Sequence, residues 1–150
     1  MAETYLKQIA CLRDRIDDAA FSLRKASARA YGVASSLKIT NTRVRSSPEP
    51  NAFFIRGLDR KEAAERRLSA LLRLSETLES QAAGLIDRYT AGNENLVLKA
   101  RFFDCLTWPQ MADTVLHRDP KRLPVICRKG LAKIILPDDA VWIDRNRRAA

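Results

Sequence analysis

Six basic side chains, Arg118, Lys121, Arg122, Arg128, Lys129 and Lys133, fall within residues 117–133, with Asp119 as the one acid among them. Six cations against one anion give a local charge of about +5. That suits the binding of phosphate, because guanidinium and ammonium groups pair with anions and release the counterions condensed on a polyanion. Most charge runs are solvated faces of small helical domains. Here the cations lie in and just after a turn between two helical patterns, and that placement favours nucleic acid. His117, the one histidine of the chain, stands in the same turn. It suits a phosphate contact, a pH-sensitive contribution or a plain exposed turn position. No other chemistry is offered: there is no converging pair of carboxylates, no Gly-rich phosphate loop and no metal-ligand spacing, so neither an enzyme, nor a cofactor, nor a metal is expected. Cys11, Cys105 and Cys127 are odd in number and widely spaced. They read as buried apolar fillers in a reducing compartment.

The elements that must position the cations are two short helices. Thr107 and Gln110 have the spacing of a capping box, and Pro109 falls in the first turn, where its missing N–H costs nothing. Trp108, Met111, Ala112 and Val115 then recur on one face, predicting a helix over 108–116. Asp119-Pro120 opens a turn. A second helix follows with Leu123, Ile126, Cys127, Leu131, Ile134 and Ile135 facing inward. Pro124 clashes with a preceding helical turn, so this helix must start near it. That start makes Arg118, Lys121 and Arg122 phosphate contacts, with Lys133 beside them. Val125, Arg128 and Lys129 are left as candidates for base edges. The expected core of this head is Phe102, Phe103, Trp108, Met111, Ala112, Val115, Ile126 and Leu131, with Leu96 and Leu98 on a helix that precedes the pair.

Arg101-Phe102-Phe103, the run from Thr107 through Trp108-Pro109-Gln110-Met111-Ala112 to Asp113, and Lys129-Gly130-Leu131-Ala132-Lys133-Ile134 together carry a resemblance. They resemble the C-terminal module of small phage-encoded proteins related to the RinA and ArpU late-transcription regulators. The C-termini of those proteins are similar to region four of bacterial sigma factors. Tyr5-Leu6-Lys7-Gln8-Ile9 and the run from Arg43 to Pro50 extend the likeness, which covers about residues 3–136. The resemblance implies a helix-turn-helix that binds double-stranded DNA, and an arm that dimerises the chain or engages RNA polymerase. The chain departs from its relatives in carrying one extra residue in the turn, Leu116-His117 where a glycine is common, and Pro124.

Upstream, Tyr5, Ile9, Leu12, Ile16, Ala19, Leu23, Ala26, Ala30, Val33 and Leu37 alternate four and three apart, a sustained heptad seam. A second seam runs through Ala64, Leu68, Leu71, Ser75, Leu78, Ala82, Leu85 and Tyr89, widened by Leu72 and Ile86. Two such helices pack as an antiparallel hairpin or pair with other chains, and small residues late in the first seam permit close approach. Between them, 38–56 reads as a loop with Arg43, Arg45 and Arg56 beside Phe53-Phe54: a simple connector first, otherwise a basic arm along phosphates or a partner dock through the two phenylalanines. Asp59 with Glu62 then caps the second helix. Gly92 ends it and Asn93 begins the next. After Leu136, the triplet Val141-Trp142-Ile143 folds back on the head with Trp142 as anchor, docks on a partner or stays loose, and fold-back is the first expectation.

The fold class expected is therefore all-α: a long two-helix coiled-coil-like hairpin over 1–91, a small helix-turn-helix head over 92–136 and a tail over 137–150. A net charge of +9 and a pI near 9.9 fit a polyanionic partner. No apolar run has membrane-spanning length and no signal segment is visible at the start, so a cytoplasmic protein without membrane contact is expected. The leading expectation is a phage-type transcription regulator. Its alternatives are a small-terminase-like DNA-packaging recognition protein, and a helical adaptor or inhibitor that does not bind DNA.

Overall fold

The structure, a computed structural model, describes residues 1–40 and 50–143, and for 33–40, 50, 51 and 53 the backbone alone. Its elements are all helical: α1 (Ala2–Thr40), α2 (Pro50–Tyr89), α3 (Asn93–Phe102), α4 (Trp108–Met111), continued by a π-helical turn (Ala112–Leu116), and α5 (Leu123–Lys133). The expected loop over 38–56 is helical at both flanks, 38–40 and 50–56. Its Arg43 and Arg45, like the Phe53 side chain, lie outside the described residues. Pro50 is the first helical residue of α2, where a missing N–H breaks no hydrogen bond. Asp59 consequently lies inside α2 rather than capping it. No helix among the described residues is long and apolar enough to cross a membrane.

The chain divides into two compact units, Met1–Arg13 with Leu74–Ala150, and Asp14–Arg73. In the first, the start of α1 runs antiparallel to the end of α2. Tyr5 Oη donates to Gln81 Oε1 at 2.7 Å, and the Arg13 guanidinium reaches Glu79 at 3.3 Å. Tyr5, Ile9 and Leu12 from α1 and Leu78, Ala82 and Ile86 from α2 are buried, as the seams require, and Leu6, outside the first seam, is buried with them. Each large apolar side chain here contributes about 1.5–3 kcal/mol. Arg13 also donates to the Phe103 carbonyl, fastening the end of α3 to α1. Gly92, with φ of 57°, turns the chain into α3.

Two glutamines hold the segment after α5. Gln8 donates to the Val141 carbonyl at 3.0 Å and accepts from the Ile143 N–H at 3.0 Å. Gln81 Oε1 accepts from the Val141 N–H at 2.9 Å as well as from Tyr5. Trp142 meets the Tyr5 ring edge-on, with centroids 5.5 Å apart. The expected fold-back with Trp142 as anchor is what the structure contains.

The second unit pairs 14–32 of α1 with 54–73 of α2. A Cβ at Gly57 would stand 3.4 Å from the Ala30 Cα, so small residues bring the end of one segment against the start of the other, and the two are antiparallel. Its core is thin. Ala19 and Ala30 are buried, while Ile16, Leu23, Ala26, Ala64, Leu68 and Leu71 are half-buried. Leu72, expected to widen the seam, is 46% exposed, because it lies about 100° round the helix from Leu71.

Candidate nucleic-acid interface

The head begins with a capping box that forms as the sequence predicts. Gln110 Oε1 accepts from the Thr107 N–H and from the Thr107 hydroxyl, each at 2.9 Å. Arg101 donates to the Leu106 carbonyl at 2.9 Å and lies over the Trp108 ring at 4.8 Å, which leaves Trp108 half-buried under a cation. Met111 and Ala112 are buried in the head. The predicted helix over 108–116 is present, but its second half is π-helical. The Thr114 hydroxyl takes the Gln110 carbonyl at 2.7 Å, competing with the ordinary backbone ladder at that point.

His117 ends this helix in the left-handed conformation, with φ of 45° and ψ of 43°. That is the geometry a glycine adopts without strain, so His117 stands where a glycine would fit best. Asp119 then organises the turn: its carbonyl accepts from the Arg122 N–H at 3.0 Å and its carboxylate from the Lys121 N–H at 2.9 Å. Pro120 supplies the fixed φ that the second position of such a turn prefers. Leu123 opens α5 with Pro124 in its first turn, so the start near Pro124 expected from the sequence is the observed one.

The helix α5 has two faces. Leu123, Cys127, Gly130 and Ile134 are buried, and Gly130 lies against α3 so closely that a Cβ there would meet Leu98 Cδ1 at 2.9 Å. On the opposite side, Val125, Arg128 and Lys129 are exposed at positions i, i+3 and i+4, on one stripe. Arg118, Lys121 and Arg122 are exposed in and beside the turn. Lys133 is engaged differently: its Nζ pairs with Glu94 of α3 at 2.7 Å. Arg128 lies near enough to Glu3 to help lower the Glu3 pKa, after the larger effects of the Lys7 hydrogen bond and charge.

The core expected for the head divides. Phe102, Met111 and Ala112 are buried, while Phe103, Trp108, Val115, Ile126 and Leu131 are half-buried. Leu96 is exposed and its neighbour Val97 is fully buried instead. Ile135 is 67% exposed because α5 ends at Lys133 and Ile134 turns extended, so the helical period no longer places residue 135 inward. Of the cysteines only Cys127 is a buried filler, and burial pushes its thiol pKa up. Cys11 is half-buried and Cys105 exposed, at a positive φ of 55° in the connection after α3. Sequence reasoning missed Glu94 and Glu3 as neighbours of the basic surface. Neither carries a sequence signal, since both reach it through tertiary packing.

Among the described residues no group of His, Cys, Asp and Glu could hold a metal ion. Compared with protein-family models, curated proteins and solved structures, the chain matches none.

Proposed function

We propose that this chain binds double-stranded DNA through α4, the basic turn and α5, and works as a phage-type transcription regulator in the cytoplasm. The observation that carries the reading is the stripe of Val125, Arg128 and Lys129 on the open face of α5, directly after a turn whose Arg118, Lys121 and Arg122 are exposed and form no ion pair among the described residues. Turn cations hold phosphates and set register, while the helix stripe tests base edges in the major groove. Lys133, paired with Glu94, is the weakest of the proposed phosphate contacts, since binding would first have to break that pair. The resemblance to RinA- and ArpU-related proteins supports the assignment to transcription, with RNA polymerase or a second copy as partner of the arm.

A salt series of gel shifts tests it. Affinity for duplex should fall steeply with ionic strength, and Lys121→Ala should weaken all sequences alike while lowering the slope of log affinity against log salt by about 0.9. Arg128→Ala should instead erode preference for a motif selected from a random duplex pool. Salt-independent binding, or none, would sink the proposal.

A further inference from the structure

The unit Asp14–Arg73 sorts its charges by side. Lys25 and Arg29 each stand one position before the seam residues Ala26 and Ala30 of α1, and Arg56, Arg60 and Arg67 each stand one position before the α2 residues Gly57, Lys61 and Leu68, which are half-buried. One position is about 100° of helix rotation. In an antiparallel pair, stepping back from the seam on either helix leads to the same side of the hairpin, because one chain is viewed running up and the other running down. All five cations therefore share one face. All five are exposed and none is ion-paired among the described residues.

The positions one step after the seam carry a different set: Asp17, Tyr31, Leu58, Glu62, Glu65 and Leu72, with Arg24 as the one cation among them. Glu62 and Glu65 are satisfied within α2 by Arg66 at 3.2 Å and Lys61 at 3.5 Å. Lys61 also lies over the Tyr31 ring at 5.7 Å, a contact that confirms these positions share the other side. Asp18, one position before Ala19, is the one acid on the face that holds the five cations, while Asp17, Glu62, Glu65 and the large exposed groups Tyr31, Leu58 and Leu72 stand on the other side.

From this segregation we infer that the arm carries a second polyanion-binding surface, formed by Lys25, Arg29, Arg56, Arg60 and Arg67, and that its occupant is the phosphate backbone of duplex nucleic acid. Arg56 to Arg67 spans about 16 Å along α2, and the row on α1 runs alongside at the roughly 8–10 Å typical of packed helices. Two parallel rows of unpaired cations match a partner whose charge is dense and regular. A protein partner needs an aromatic or aliphatic anchor, and the described side chains interspersed on this face are Arg15, Asp18, Ser22, Ala63 and Ala70. The choice of DNA as the polyanion rests on the function proposed for the head.

The full chain is titrated against a labelled random-sequence DNA duplex over a range of NaCl concentrations, with circular dichroism checking helix content. Three double variants are compared: Arg60→Gln with Arg67→Gln on the arm face, Arg24→Gln with Arg66→Gln on the arm but off that face, and Arg118→Gln with Lys121→Gln in the head. Glutamine keeps helix propensity and the two arm variants change net charge equally. The arm-face pair should lower the salt slope by about 1.8, two phosphate contacts at about 0.9 each, whereas the off-face pair leaves the slope unchanged. If both arm pairs shift binding alike, or neither does, the surface is refuted, and the second result is also what an acidic protein occupant would give. A shift by the arm-face pair with none by the head pair would support the arm surface while removing the head reading. A shift by the head pair alone would do the reverse.

Discussion

The Tyr5 phenol is fully buried, donates to Gln81 and meets Trp142 edge-on. Loss of hydration on burial, with the Asp139 charge as a second cause, raises its pKa to about 12. In the unfolded chain a phenol titrates near 10, so the native state holds this proton more tightly. The stabilisation is complete below about pH 10 and is lost as pH rises from there to about 12, by up to about 1.4 kcal/mol per pH unit. Urea unfolding of the wild type and of Tyr5→Phe across this window should show a gap that is constant near neutrality, about 1 kcal/mol for the lost hydrogen bond, and then shrinks and reverses. A gap that stays constant to pH 12 would mean that Tyr5 ionises as freely as in the unfolded chain. Single-residue features of this sort were partly legible. The turn at His117 stood out as a departure from glycine. That Cys105 is exposed did not, because hydrophobic type predicts burial only on average and Cys105 sits in a connection at positive φ.

At the scale of elements, periodicity and capping carried most of the architecture. Both heptad seams, the box at Thr107 and the start of α5 at Pro124 follow from local sequence, since each is decided within a turn or two of helix. The flanks of the 38–56 segment did not follow, because Ser, Pro and Asn favour turns while Pro is also permitted at the first position of a helix such as α2. The π-helical turn was equally hidden; within it the Thr114 hydroxyl donates to the Gln110 carbonyl, a choice that propensity does not announce. The contact that sets α5 against α3 centres on Gly130. A Cβ there would meet Leu98 Cδ1 at 2.9 Å and Glu94 Cβ at 3.4 Å, and Leu98 is fully buried and has no open space to turn into. Gly130→Ala should lower stability by about 1 kcal/mol, a gain of about 1 kcal/mol in helix propensity set against overpacking of about 1–3 kcal/mol. Gly130→Val adds further bulk with little propensity gain, and should lower stability by about 2 kcal/mol in thermal melts. A valine variant as stable as wild type would show that α3 and α5 are not in close contact there.

In the whole chain, the segment after α5 connects the two ends of the sequence. Gln8 contacts Val141 and Ile143 across separations of 133 and 135 residues, and the unit formed by Met1–Arg13 and Leu74–Ala150 owes its closure to contacts of this range. Trp142 was recognisable as an anchor because it is the large aromatic at the centre of an apolar triplet, Val141-Trp142-Ile143, ahead of a basic end. Its hosts were not recognisable. Gln8 and Gln81 bind main-chain groups, so their role depends on where the backbone passes and leaves no pattern in the sequence. Cutting the ring contact while keeping the glutamines separates the two parts of this closure. Trp142→Ala should cost about 2–3 kcal/mol, below the 3–5 kcal/mol of a fully buried tryptophan because this one is half-buried. Amide exchange should speed up at Val141 and Ile143, and at Ile9 and Leu12 in α1, as the strap opens more often. Amides of Leu23 and Ala26 in the unit Asp14–Arg73 should be far less affected, since that unit has its own seam. Uniform acceleration over both units would show instead that the chain unfolds as one cooperative body in which the strap holds everything. Unchanged exchange at Val141 and Ile143 would show that the two glutamines secure the strap without the tryptophan.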